Sequence, residues 1–207
     1  MLYYRNNLVS LINLLELMPK YNVEGIIFSS SCTVYGQPDV LPVTESAPIK
    51  KAESPYGNTK QINEEIIRDT VASGAPINAI MLRYFNPIGA HPTSLIGELP
   101  NGVPQNLIPY LTQTAIGIRE KLSVVGDDYD TPDGSCIRDY IYVGDLAKAH
   151  VIAMDRILNH KQKDNVEVFN IGTGRGLSVL ELIKAFETAT GVKLIYQIVG
   201  RRAGDIV

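Results

Sequence analysis

The sequence predicts an α/β protein built around a parallel sheet. Two observations carry this expectation. Apolar runs of strand length recur at residues 25–28, 77–84 and 166–171, and stretches with helical apolar spacing separate them. Stretches such as 25–28 and 79–82, apolar without alternation, belong to strands covered on both faces, as in parallel sheets packed between helices. A third observation bounds the layer: Gly and Pro become dense from residue 88 to 109, and the regular alternation stops there.

Taken in order, Leu8, Leu11, Ile12, Leu15 and Met18 recur at helical spacing before Pro19, which predicts a helix over 2–18. The run 25–28 then leads into Ser29, Ser30 and Ser31, read as a strand opening into a polar loop. A helix over 57–73 is expected to stop near Gly74, followed by the strand at 77–84. Beyond the Gly/Pro-rich stretch, the pattern predicts a helix over 107–119, a strand at 122–125 and a polar loop over 126–135. A helix over 143–158, a strand at 166–171, a helix over 178–190 and a strand at 193–199 complete the chain. A boundary is expected near residue 88, with a smaller lobe beyond it and some elements returning to the first sheet.

The chain has 207 residues, with 19 Lys and Arg against 22 Asp and Glu, for a formal charge of −3. That balance does not suit a protein whose business is neutralising nucleic-acid phosphates. No stretch approaches the roughly 18 apolar residues of a membrane span, and 2–18 lacks the marks of a signal peptide. Cys32 and Cys136 are too few for a disulfide framework and fit no metal-ligand spacing, so a reducing, cytoplasmic location is expected.

The most informative chemistry lies in Ser31, Tyr56 and Lys60. Tyr56 and Lys60 are four residues apart, so at the start of a helix they share one face. A free tyrosine is a poor base at neutral pH, but a fixed cation beside it favours the phenolate, and Lys60 is placed to supply that cation. A hydroxyl at the carboxyl end of a strand lies where open α/β sheets bind ligands, which would bring Ser31 to the same substrate hydroxyl. Taken singly, a Tyr-x-x-x-Lys pair is most often helix surface and a serine run most often loop; the combination is what points to a site.

In this setting the chain resembles the extended short-chain dehydrogenase/reductase family, and within it the enzymes that invert carbon 4 of UDP-hexoses. The resemblance rests on ordered blocks: Tyr3-Tyr4-Arg5-Asn6-Asn7, Phe28-Ser29-Ser30-Ser31-Cys32-Thr33-Val34-Tyr35-Gly36, Ser54-Pro55-Tyr56-Gly57, the segment 82–92 with Asn86-Pro87-Ile88-Gly89-Ala90-His91-Pro92, Asn106-Leu107-Ile108-Pro109-Tyr110, Asp133-Gly134, Arg138-Asp139-Tyr140-Ile141 and Arg201-Arg202-Ala203-Gly204-Asp205. It implies bound NAD and interconversion of UDP-glucose and UDP-galactose through a 4-keto sugar. Tyr56 would take the 4-hydroxyl proton, Ser31 would hydrogen-bond the reacting oxygen, and Lys60 would bind the nicotinamide ribose and hold the Tyr56 pKa down, helped by the positive nicotinamide. Asn6, Ser31, Tyr56, Lys60 and Phe85 would touch NAD. Ser31, Tyr56, Asn86, Asn106, Leu107, Ser123, Val124, Val125, Arg138, Arg202 and Asp205 would touch the UDP-sugar, the guanidinium groups matching diphosphate oxygens.

The resemblance also implies a partial Rossmann-like sheet with its first half missing. Residues 1–88 would be the second part of the NAD-binding domain and 89–207 mainly a UDP-sugar-binding lobe. No glycine-rich strand-turn-helix precedes Met1 and the chain stops soon after Asp205, so both ends are read as cut and the isolated chain as inactive. A homodimer through the helices 2–18 and 57–73 is expected, as a four-helix bundle.

Other residues invite chemistry without supporting it. His91, His150 and His160 share no ligand spacing, so no metal site is expected. Gly172-Thr173-Gly174-Arg175-Gly176 is not the dinucleotide fingerprint and reads as a tight strand-to-helix turn. Two alternatives remain open. One is another nucleotide-sugar enzyme of the family, such as a dehydratase or decarboxylase; dehydratases resembling this chain carry an Asp-Glu pair where Thr33 and Val34 stand here. The other is a non-catalytic UDP-sugar-binding fragment.

Overall fold

The computed structural model describes residues 1–201. Residues 2–17 form helix α1, in which α-helical Leu2–Tyr4 and Ser10–Leu17 flank a π-helical segment, Arg5–Val9. Pro19 ends it by starting a 3-10 turn, Pro19–Tyr21. Strand β1, Gly25–Ser31, follows, and here the structure departs from expectation. The serines continue the strand instead of leaving it as a loop, and Ser30 and Ser31 are buried. Burial is possible because each hydroxyl has a partner: Ser30 Oγ donates to Glu64 Oε1 at 2.6 Å, and Ser31 Oγ accepts from Thr33.

A 3-10 segment, Cys32–Tyr35, ends at Gly36, whose φ is +62°. A Cβ there would lie 2.5 Å from the Lys51 carbonyl oxygen, so both backbone conformation and space require glycine. Helix α2, Pro55–Ala72, begins two residues earlier than predicted because Ser54 caps it, accepting from the Gly57 amide at 3.1 Å. Strands β2, Asn78–Tyr84, and β3, Asn86–Ile88, come next, then α3, Leu107–Ala115, and β4, Leu122–Val125. Strand β5, Ile137–Tyr142, runs directly into α4, Val143–Leu158. Then come β6, Val166–Ile171, and β7, Gly176–Ser178, followed by α5, Val179–Thr190, and β8, Tyr196–Val199. Helix α5 opens with a reciprocal capping box between Ser178 and Glu181.

The chain divides into two compact units. The first comprises Met1–Phe85 with Leu146–Ile171 and holds a parallel sheet of order β1-β2-β6, with Ser31 beside Tyr84 and Tyr84 beside Ile171. Leu11, Leu15 and Met18 of the α1 region and Ile67 of α2 pack on Ala79 and Met81, while Ala153 of α4 packs with Ile80 and Leu82. Alternate residues of β2 thus face opposite helical layers, which accounts for its unbroken apolar run. In the second unit, β5 lies between β3 and β7, and β4 pairs with β8. Its core gathers Leu111, Leu122, Val124, Ile183 and Leu194. Among the described residues no helix is long and apolar enough to cross a membrane.

One buried ion pair crosses the layers of the first unit. Arg83 of β2 and Glu64 of α2, 3% and 4% exposed, are joined by two parallel bonds, Nε to Oε1 at 2.9 Å and Nη2 to Oε2 at 2.6 Å. Burial works against the Arg83 charge, but the bonds to Glu64 and Tyr35 outweigh it and raise its pKa. Removing one member of such a pair strands the other charge, whereas replacing both with apolar groups can be neutral. Glu64→Leu alone is therefore expected to cost about 3–5 kcal/mol in urea unfolding of the full-length protein, and Glu64→Leu with Arg83→Met to recover most of it. Equal losses in the single and double variants would show that the pair is not coupled.

Candidate active site

The end of β1 and the first turns of α2 place three of the expected residues together. Ser31 Oγ accepts from the Thr33 amide at 3.2 Å and from Thr33 Oγ1 at 3.0 Å. Both lone pairs are then occupied, which leaves the Ser31 O–H to donate. Tyr56, at the second position of α2 and 36% exposed, feels Ser31 as a donor that lowers its phenol pKa. One turn further along, Lys60 Nζ donates to the Ser29 carbonyl at 2.7 Å and lies 5.4 Å from the centre of the Tyr56 ring.

Burial shifts both Tyr56 and Lys60 towards their neutral forms. Burial lifts the Tyr56 phenol above the 10.0 of a free tyrosine, the Ser31 bond pulls it partly back, and Cys32 and Tyr3 push it up. The Lys60 ammonium is engaged with the Ser29 carbonyl and lies by the Tyr56 ring. Burial also lowers the Lys60 pKa from 10.5. The pair is a protonated phenol beside a half-buried cation, so any lowering of the phenol to neutral pH requires further positive charge.

Helix α1 buttresses this turn through contacts that spacing alone did not reveal. Asn7 Nδ2 donates to Thr59 Oγ1 at 2.9 Å, which donates in turn to the Tyr56 carbonyl at 2.7 Å. Asn63 Nδ2 reaches the Asn7 carbonyl at 3.2 Å, Asn58 Nδ2 reaches the Tyr4 hydroxyl at 2.9 Å, and the Tyr3 ring meets the Tyr56 ring edge-on at 6.1 Å. Asn6 is exposed within the π-helical segment, a local geometry often found at functional sites. Phe85 is half-buried, its amide donating to the Ile171 carbonyl at 3.1 Å. His150 also has a structural role: its Nε2 lies 2.6 Å from the Tyr84 hydroxyl and its Nδ1 2.9 Å from the Leu146 carbonyl.

The remaining described candidates belong to the second unit. Asn86 opens β3 and is exposed; Asn106, also exposed, precedes α3 without a side-chain capping bond. Leu107 packs partly into the core beside Val124, which is 1% exposed. The Val124 side chain is core, which leaves its main chain for contact with a ligand. Ser123 and Val125 are half-buried and, by strand alternation, face the other side. Arg138 lies on β5, its Nη1 donating to the Ile137 carbonyl at 2.7 Å. Arg202 and Asp205 lie outside the described residues. The glycine loop after β6 is occupied by the protein itself, since the Asp139 carboxylate accepts from the amides of Thr173 and Gly174 at 2.7–2.9 Å. Among the described residues no cluster of three or more His, Cys, Asp or Glu could hold a metal ion.

The structure is an α/β fold with a parallel sheet that carries a Ser, Tyr and Lys group at one strand end, and comparison with known proteins identifies its family. The chain belongs to the NAD dependent epimerase/dehydratase family, whose model matches residues 1–172. It is 52% identical over 204 residues to UDP-glucose 4-epimerase of Dictyostelium discoideum and 49% identical over 204 residues to that of Homo sapiens, covering 99% of this chain in each case. The chain spans 58% of the length of these two relatives. Among solved structures it is similar to UDP-glucose 4-epimerase from Bifidobacterium longum in complex with NAD+ and UDP, with a TM-score of 0.93 and 51% identity, covering 99% of this chain and 60% of that one.

The Tyr56 surroundings set a measurable ionisation. In the ligand-free protein, tyrosinate absorption of the wild type minus that of Tyr56→Phe should show Tyr56 ionising above the 10.0 of a free tyrosine. Ionisation near neutrality without ligand would contradict the burial-dominated balance.

Proposed function

We propose that the full-length protein is an NAD-dependent epimerase that interconverts UDP-glucose and UDP-galactose through a 4-keto sugar. The observation that carries the reading is the juxtaposition of Ser31, Tyr56 and Lys60 at the end of β1, in a chain about half identical to UDP-glucose 4-epimerases over nearly its whole length. NAD, held by Lys60, Asn6 and Phe85, would supply the hydride acceptor and donor for carbon 4 of a sugar that turns over between the two transfers. This chain's residues handle the proton and the geometry. Tyr56 Oη takes the 4-hydroxyl proton and gives it back. The single Ser31 O–H would, with substrate bound, turn from Tyr56 to the 4-oxygen as that oxygen gains charge.

The first unit fits the cofactor. Lys60 uses one of its three N–H groups on Ser29, leaving donors for ribose hydroxyls, and the exposed Asn6 amide and half-buried Phe85 ring complete the set assigned to NAD. The cationic cofactor also supplies the positive charge that the Tyr56 phenol lacks here. Asn86, Asn106, Leu107, the main chain around Ser123–Val125, and Arg138, with Arg202 and Asp205, are assigned to UDP-hexose. A dehydratase is the less well supported reading. Thr33 is engaged with Ser31, Val34 is fully buried, and neither is a carboxylate for elimination.

We further infer a cytoplasmic homodimer through α1 and α2. Support for the interface lies mainly in α1, whose Val9, Ile12, Leu14 and Leu17 are exposed, whereas the exposed positions of α2 beyond its first turn are Glu65, Arg68, Asp69 and Ala72.

Two results test these readings. With the full-length protein and UDP-galactose, a coupled assay should detect UDP-glucose, and Tyr56→Phe should lower kcat by roughly 10²–10⁴ while UDP affinity stays close to wild type. Near-normal turnover in the variant would remove Tyr56 from its role. Leu14→Glu should convert the dimer to monomer in sedimentation; an unchanged mass would place the interface elsewhere.

A further inference from the structure

We propose that Glu64 and Arg83 are positioning residues: their buried ion pair sets the registry of α2 against β1 that brings the Tyr56 hydroxyl onto Ser31. The proposal rests on the assignment of Tyr56 as proton acceptor and concerns residues that touch neither substrate nor cofactor.

The argument begins with spacing. Tyr56, Lys60 and Glu64 are successive i, i+4 positions of α2 and form one stripe toward the carboxyl end of β1. The first two members of the stripe carry the chemistry, and the third is the anchor. Glu64 Oε1 accepts from Ser30 Oγ at 2.6 Å and from Arg83 Nε at 2.9 Å, while its Oε2 accepts from Arg83 Nη2 at 2.6 Å. Arg83 Nη1 donates to the Tyr35 hydroxyl at 2.8 Å, and the guanidinium carbon lies 4.7 Å from the centre of the Tyr35 ring. Tyr35 then donates to Asn170 Oδ1 of β6 at 2.7 Å, and Asn170 Nδ2 donates to the Val43 carbonyl at 3.0 Å.

The consequence concerns Ser31. The residue before it, Ser30, is bound to the anion of the pair, and Tyr35, four residues after it, is bound to the cation. The strand end and the turn that hold Ser31 are therefore clamped on both sides to the same pair that holds α2. Apolar packing could stabilise this junction equally well, but it is non-directional. A bidentate guanidinium-carboxylate fork constrains both the rotation and the axial position of the helix that carries it. Those two coordinates decide whether Tyr56 meets the Ser31 donor, and misplacement by about 1 Å can cost roughly 100-fold in rate.

The test uses the full-length protein as wild type, as Glu64→Leu with Arg83→Met, and as Ser30→Ala, each with a Tyr56→Phe counterpart. Turnover of UDP-galactose and the ionisation of Tyr56 by tyrosinate absorption are both read. In the double variant kcat should fall roughly 10- to 100-fold with KM within about twofold of wild type. Its Tyr56 ionisation should move to higher pH, because the Ser31 donor that lowers it is out of line. Ser30→Ala, which removes one hydroxyl, should change both quantities in the same direction and to a smaller extent, and it decides the matter if the double variant does not fold. Unchanged ionisation overturns the proposal, whether or not kcat falls, since a merely structural role predicts that result. If the wild type does not turn over UDP-galactose, the functional reading fails while the ionisation measurement still judges the positioning.

Discussion

The first unit is organised around one constraint: a full positive and a full negative charge, both almost completely removed from water, must keep each other. Arg83 and Glu64 satisfy it with two parallel bonds, and the polar groups around them, Ser30, Tyr35 and Asn170, take up the valences that remain. Because these residues come from β1, β2, β6, α2 and the turn after β1, meeting the requirement also fixes how those elements meet. Apolar packing of Ile67 and Leu11 on one face of the sheet and Ala153 on the other supplies burial energy without direction.

That constraint bears on chemistry through the protonation of Tyr56. A phenol beside a lysine suggests a phenolate, yet here burial dominates and the lysine is turned to a backbone carbonyl. The protein contributes one specific stabilising donor, Ser31, whose lone pairs Thr33 occupies. Such a site is poised: it keeps its proton until further positive charge enters. Basicity in this account arises with ligand binding and is not a standing property of the fold.

The sequence made visible what is local. Apolar runs identified β1 and β2, a strand-length segment rich in Val and Ile identified β6, and the i, i+4 spacing of Tyr56 and Lys60 placed both on one face of α2. Strands β3, β5 and β7 escaped notice because two are three residues long and the third, Ile137–Tyr142, mixes Arg and Asp into its pattern, so only distant pairing makes them strands. The serines at the end of β1 looked like loop because their burial depends on Glu64 and Thr33, and Glu64 lies 34 residues from Ser30. The pairing of Arg83 with Glu64, 19 residues apart, has no periodic signature at all. Motif matching named Val124 without separating side chain from main chain, and its burial puts the side chain in the core.

The Asp139 carboxylate against the amides of Thr173 and Gly174 makes a related point, since a glycine-rich turn that could cradle a phosphate is already satisfied from within. The chemistry is thereby concentrated at the end of β1, where the central claim is that only a hydroxyl proton passes through Tyr56 while the hydrogen on carbon 4 never meets water. UDP-galactose carrying deuterium at carbon 4, incubated with the full-length protein, tests this directly. The account predicts UDP-glucose that retains deuterium at carbon 4, with none released to solvent. Deuterium appearing in water in step with product would mean that carbon 4 is deprotonated by a side chain, and it would contradict the account.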